Sequence, residues 1–168
     1  SKGSEFQLLQ NLNTNLDKNT ARLTLLDSTD GLDEGTHIVI IGESANRDHL
    51  KAFTPNYPED TTPWLSSKAN DPDFSLNDLA YSNFPNTLMS LSYAMTSANQ
   101  YSDMDLSHAV SMVDAARAAG YRTDWISFHN RSSLSSAGVT LIAERSDASY
   151  WEKNYDEYAV DVMKKLPP

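Results

Sequence analysis

Two residues stand out for the chemistry their surroundings could support. Glu43 follows the apolar run Thr36-His37-Ile38-Val39-Ile40-Ile41-Gly42. Such a run, short and rich in β-branched side chains, predicts a strand buried on both faces of a parallel sheet. Ligands in open parallel sheets sit at the carboxyl ends of the strands, so Glu43 is a carboxylate at a functional edge. It is equally suited to open the next helix near its positive end. Thr87 lies behind Phe84-Pro85-Asn86 at the expected start of a helix, where free N–H groups would stabilise an anionic adduct on its hydroxyl. The commoner role of Asn86 or Thr87 there is an N-cap.

The other reactive side chains form no familiar pattern. His37, His49, His108 and His129 lack the i, i+4 spacing of a helical metal pair. His108 reads as a surface or core residue of a helix starting at Asp105. His129 follows a strand and so lies at the functional edge, a candidate for substrate binding beside Asn86. Asp48-His49 points away from Glu43 on the first helix. Gly42-Glu43-Ser44-Ala45-Asn46 lacks the second glycine of a nucleophile elbow, and no glycine-rich phosphate loop is present.

The elements that would position these groups alternate between helix and strand. A leucine-rich amphipathic helix or linker is expected over 7–27, then a loop, the central strand 36–41 and a short helix over 46–53. A long proline-containing loop covers 56–73. A second strand is expected within 76–83. One helix follows from Asn86-Thr87 through Leu88, Leu91, Met95 and Ala98, and another from Asp105 to a glycine stop at Gly120. A strand is expected over 121–128, a further short one over 139–143, and a final helix over 150–166. This order predicts an α/β fold with a mainly parallel sheet flanked by helices.

Composition narrows the function. The 168 residues, 39% of them hydrophobic and 10% aromatic, suffice for one domain with a core. A net charge of −10 argues against a nucleic-acid partner. With no cysteine, thiol chemistry and Cys-based zinc sites are excluded. Residues 1–6 read as a vector-derived hexapeptide, 7–35 as a linker or helix preceding the domain, and the whole as a piece of something longer.

Several segments in order carry a more specific signal. His37 to Ser44 with Arg47-Asp48-His49-Leu50, then Asp60-Thr61-Thr62-Pro63-Trp64-Leu65, resembles the phosphoethanolamine transferases, membrane-anchored bacterial enzymes of the sulfatase and alkaline-phosphatase superfamily. Asn86-Thr87-Leu88-Met89-Ser90-Leu91 resembles that family's nucleophile segment. Ala118 to Ser127 and Tyr155-Asp156-Glu157 resemble its later elements. The resemblance implies an alkaline-phosphatase-like sheet, with 36–168 as the N-terminal portion of a periplasmic catalytic domain whose C-terminal half is absent. It implies Glu43 and Thr87 as Zn²⁺ ligands, and Thr87 also as the nucleophile. The donor would be phosphatidylethanolamine, and the acceptor a hydroxyl of an envelope glycan or lipid A. An upstream segment would anchor the enzyme in the bacterial inner membrane. Further zinc ligands would come from later residues, so this chain alone is expected to be inactive. Phosphoglycerol transfer or phosphatase chemistry within the superfamily, and a non-catalytic module binding through 56–73, are the alternatives.

Overall fold

The computed structural model describes residues 2–23, 35–42, 44–101, 108–129, 137–152 and 155–167. The chain divides into two compact units, Ser1–Gly31 with Asn83–Pro168, and Leu32–Ser82.

The first unit contains a parallel β-α-β element. Strand β1 (Asp124–Ser127) pairs with β2 (Ala148–Trp151), with Asp124 opposite Ala148 and Ser127 opposite Trp151. Helix α5 (Ala137–Glu144) makes the crossover that a parallel pair requires. The parallel pairing and the α/β character agree with expectation. Two assignments do not. Residues 139–143 are helical rather than a strand, because Val139, Ile142 and Ala143 fall at i, i+3 and i+4 and turn one face inward. A short apolar run does not by itself separate the two states. Residues 148–151 form a strand where a helix over 150–166 was expected. Aromatic Tyr150 and Trp151 favour the pleated ladder beside β1. The helical part shrinks to a 3-10 turn at Asp156–Tyr158 and helix α6 (Ala159–Met163).

Three further helices pack around this element. Helix α1 (Lys2–Thr20) begins earlier than the leucine pattern indicated. It tightens into i→i+3 bonds at its end, where Arg22 N–H donates to Asn19 O and Leu23 N–H to Thr20 O. Helix α3 (Thr87–Ala94) starts where expected but stops at Met95. Helix α4 (Met112–Ala118) starts later than Asp105, which lies outside the described residues. Ser111 is its N-cap: its hydroxyl accepts from Asp114 N–H at 3.1 Å and donates to the Asp114 carboxylate. A Ser or Thr cap of this kind is worth about 1 kcal/mol. With Ser111 as cap, Ala109 and Val110 lie ahead of the helix, and Val110 O accepts from Ser97 N–H at 2.9 Å. Gly120 follows the C-cap with φ +92°, so the expected glycine stop is present. A β-carbon there would meet nothing within 4 Å, so left-handed backbone rather than crowding favours glycine.

The core lies between these helices and β1. Met95, Val113 and Ile142 are buried together, with Trp125 and Val139 against them. Each such aliphatic side chain contributes roughly 1.5–3 kcal/mol by leaving water. A polar network lies beside it. Arg145 Nε donates to both Asp114 carboxylate oxygens at 2.7 and 2.8 Å, Nη1 to Asn13 Oδ1, and Nη2 to Asp17 Oδ1 at 2.8 Å. One guanidinium thus fastens α1 to α4. Burial opposes its charge, but hydrogen bonds to Asp114 and Asp17 outweigh that and hold its pKa above the ordinary arginine value. Asn19 Nδ2 adds a buried bond to Ala109 O at 2.9 Å.

The second unit has no buried residue among those described. Residues 36–41 are not a strand: no ladder partner lies beside them among the described residues, and Ile38 to Ile41 are 46–86% exposed. Residues 76–83 likewise form no strand, with Leu79 and Tyr81 exposed. A β-branched run becomes a strand only where a neighbour takes its backbone hydrogen bonds and a layer covers its faces. The expected helix at 46–53 is a single 3-10 turn, Arg47–His49, capped by Asn46 Oδ1, which accepts from Asp48 N–H at 3.0 Å.

Within the expected long loop, Pro63 opens a short helix, α2 (Pro63–Ser67). Thr61 and Thr62 stitch this unit together. Thr61 Oγ1 accepts from Lys51 N–H at 3.1 Å and donates to His49 O at 2.7 Å. Thr62 Oγ1 accepts from Ala52 N–H at 2.8 Å.

Candidate functional site

Thr87 is the first residue of α3 and is exposed. Asn86 is its N-cap, with extended backbone (φ −116°, ψ 147°) and a side-chain oxygen that accepts from Met89 N–H at 2.9 Å. The capping role therefore falls to Asn86, and the Thr87 hydroxyl is placed on the first turn, at the positive end of the helix dipole. An anion attached to that oxygen would lie beside the helix N-terminus, where it is stabilised. The sequence that produces this is short. Pro85 disfavours helix at the residue before it, Asn86 caps, and Thr87 follows.

His129 follows β1 and is exposed, and its N–H donates to Ser127 Oγ at 3.2 Å. This agrees with its expected place just past a strand. His49 is exposed on the 3-10 turn and packs against Tyr57 at 5.4 Å between ring centroids, so Asp48-His49 is a surface pair as expected. His108 is exposed and precedes α4 rather than lying within a helix. Glu43 lies outside the described residues. Asn86, Thr87 and His129 belong to the first unit, whereas Glu43 falls in the second.

This geometry gains meaning from sequence similarity. Phosphoethanolamine transferase EptC of Escherichia coli strain K12 is 28% identical over 167 residues, covering 94% of this chain and 28% of that protein. Phosphoethanolamine transferase CptA of Salmonella typhimurium is 25% identical over 146 residues, covering 85% of this chain and 25% of that protein. The chain is thus similar to proteins named phosphoethanolamine transferases. It spans about a quarter of the length of the curated relatives it matches. No family model matches the chain, and no solved structure matches it.

Among the described residues, no three of His, Cys, Asp and Glu are grouped to hold a metal ion. Glu43 and Thr87 would offer one carboxylate and one hydroxyl, two oxygen donors where zinc usually takes four ligands, often nitrogen or sulfur. Among the described residues no helix is long and apolar enough to cross a membrane.

The sequence reading passed over the polar cluster of Ser111, Asp114 and Arg145. Its signal was the Ser-x-x-Asp spacing at 111–114, which marks a helix start with a carboxylate turned back on its cap. Asp114 is only 3% exposed and its carboxylate is taken up by Ser111 and Arg145, so the cluster organises the fold. A second carboxylate, Asp147, sits at the start of β2. Its Oδ2 accepts from the Thr123 N–H at 2.8 Å and from the Thr123 hydroxyl at 3.1 Å. The Thr123 N–H chiefly holds its pKa below the ordinary carboxylate value, against burial, with help from the Thr123 hydroxyl and Arg117.

Proposed function

We propose that this chain carries the nucleophile of a phosphoethanolamine transferase, and that Thr87 is that nucleophile. The observation that supports this most directly is the place of Thr87, an exposed residue on the first turn of α3 directly behind the Asn86 cap. Thr87 Oγ attacks the phosphorus of phosphatidylethanolamine. The P–O bond to diacylglycerol breaks, the departing oxygen takes up a proton, and phosphoethanolamine remains esterified to Thr87. A hydroxyl of an envelope glycan or lipid A then attacks the same phosphorus and releases the threonine. The N-terminus of α3 favours the phosphoryl charge throughout, and Asn86 fixes the orientation of the turn that presents Thr87. His129 is assigned to substrate binding.

Glu43 and Thr87 would hold Zn²⁺ together with donors from elsewhere in the protein, and the ion would lower the hydroxyl pKa and neutralise phosphoryl oxygens. The fold of the complete domain is proposed to be alkaline-phosphatase-like, periplasmic and anchored in the inner membrane by a separate segment. This chain alone is proposed to be inactive, because two oxygen donors leave zinc under-coordinated.

The test is intact and peptide mass of a full-length protein containing this chain, incubated with phosphatidylethanolamine. A phosphoethanolamine increment on the Thr87 peptide, absent in Thr87→Ala, is the expected result. Full transfer activity in Thr87→Ala, or an increment on another residue, overturns the assignment. Glu43→Ala is expected to remove most bound zinc from that protein, and unchanged zinc content would reject Glu43 as a ligand.

A further inference from the structure

At the opposite end of α3 from Thr87, the last turn of α1, the segment after α3 and the start of α4 border an open groove of about 590 Å³. That lies within the ~300–1,000 Å³ of ordinary small-molecule sites. Its apolar walls are Leu23, Met95, Val110 and Met112. Leu23 and Met112 are exposed although both are large and apolar. Two methionines give the walls flexible, polarisable surface that adapts to an alkyl chain.

Among the described residues no carboxylate lines the groove, although the sequence has 23 acidic residues against 13 lysines and arginines. Arg22 stands at the groove, exposed, and its side chain has no hydrogen-bond or ion-pair partner among the described residues. By contrast, Arg47, Arg117, Arg122 and Arg145 each pair with a carboxylate. One uncommitted guanidinium beside an apolar trough suits a ligand with a single anionic head and an alkyl tail.

We propose that this groove binds the alkyl chain of a single-chain phosphate amphiphile of the lysophospholipid type, with the phosphate held by Arg22. The proposal does not depend on the transferase reading, because it is read by binding and involves none of the residues assigned to transfer.

The experiment is calorimetric titration of the chain with dodecyl phosphate below its micelle-forming concentration. Dodecyltrimethylammonium and inorganic phosphate serve as the matched controls. Saturable one-to-one binding of dodecyl phosphate, at least about tenfold tighter than either control, is expected from a site that uses both head and tail. Arg22→Glu should weaken it about tenfold and abolish the preference over the ammonium amphiphile. Met112→Asp should weaken both amphiphiles. Both side chains are exposed, so circular dichroism should be unchanged. Equal binding of the two amphiphiles, or an Arg22→Glu variant that binds as before, overturns the proposal. Absence of saturable binding also overturns it and leaves the groove to a protein partner.

Discussion

In the unit built from Ser1–Gly31 and Asn83–Pro168, Met95, Val113 and Ile142 are withdrawn from water, and Arg145 ties together elements far apart in sequence. In Leu32–Ser82 no described side chain is buried, and Trp64 is 63% exposed. That unit is held by exposed or half-exposed hydrogen bonds and ion pairs instead. Arg47 reaches Asp78 O at 2.7 Å and lies over the Tyr81 ring, while Lys68 pairs with Asp71 at 2.8 Å and lies over Phe74. Apolar burial is cooperative and supplies most of a domain's stability, whereas exposed hydrogen bonds and ion pairs contribute little net free energy each. The first unit should therefore unfold as a block and the second should open locally at small cost.

The largest effect should come from removing the buried ion pair. Arg145→Met leaves Asp114 charged and buried without its partner, a change that costs about 3–5 kcal/mol. Denaturant unfolding should show it, and a loss below about 1 kcal/mol would mean that the network is dispensable. Truncation of the core by Ile142→Ala should cost about 3 kcal/mol. Native-state hydrogen exchange at Ala52, which belongs to the other unit, should be unchanged in that variant.

A smaller change tests the second unit. Thr62→Val removes the acceptor for Ala52 N–H and should cost about 1 kcal/mol locally. Exchange at Ala52 should quicken while the unfolding midpoint of the first unit stays fixed. A shifted midpoint would mean that the units are coupled.

The smallest effects are electrostatic. Asp71 is held below the ordinary carboxylate pKa first by Lys68 and then by the Asp73 N–H, and Asp147 first by the Thr123 N–H. A carboxylate whose folded pKa is depressed contributes fully above its unfolded value. That contribution disappears as pH falls through the lower, folded value. Both should therefore weaken the fold only in acid. In Lys68→Met, NMR titration should show the Asp71 pKa rising while that of Asp147 stays in place.

The same contrast explains which features could be read from the sequence. Asn86 as cap, Gly120 as stop and β1 follow from local rules, and the structure contains them. Residues 139–143 misled because a five-residue apolar run suits a buried strand as well as a helix, and only the spacing of Val139, Ile142 and Ala143 separates the two. The run at 38–41 misled for a different reason. Its β-branched residues favour a ladder, but a ladder needs a neighbouring strand, which no propensity supplies. The place of Thr87 at a helix start was legible because proline, a cap and a hydroxyl are adjacent in sequence. Arg145 was not, because its partners Asn13, Asp17 and Asp114 are distant in the chain and nothing in their spacing announces the contact.

That distance also bears on the order of events as the molecule forms. Thr123 and Asp147, which join the starts of β1 and β2, are 24 residues apart, whereas the Arg145 bonds to Asp17 and Asn13 close spans of 128 and 132 residues. Long closures must meet their entropy cost before any contact rewards it, so the β-α-β element is expected to form first and α1 to dock onto it afterwards. A fastening completed late is absent from the transition state. The Arg145 bonds to Asn13 and Asp17 are therefore expected to slow unfolding more than they speed folding.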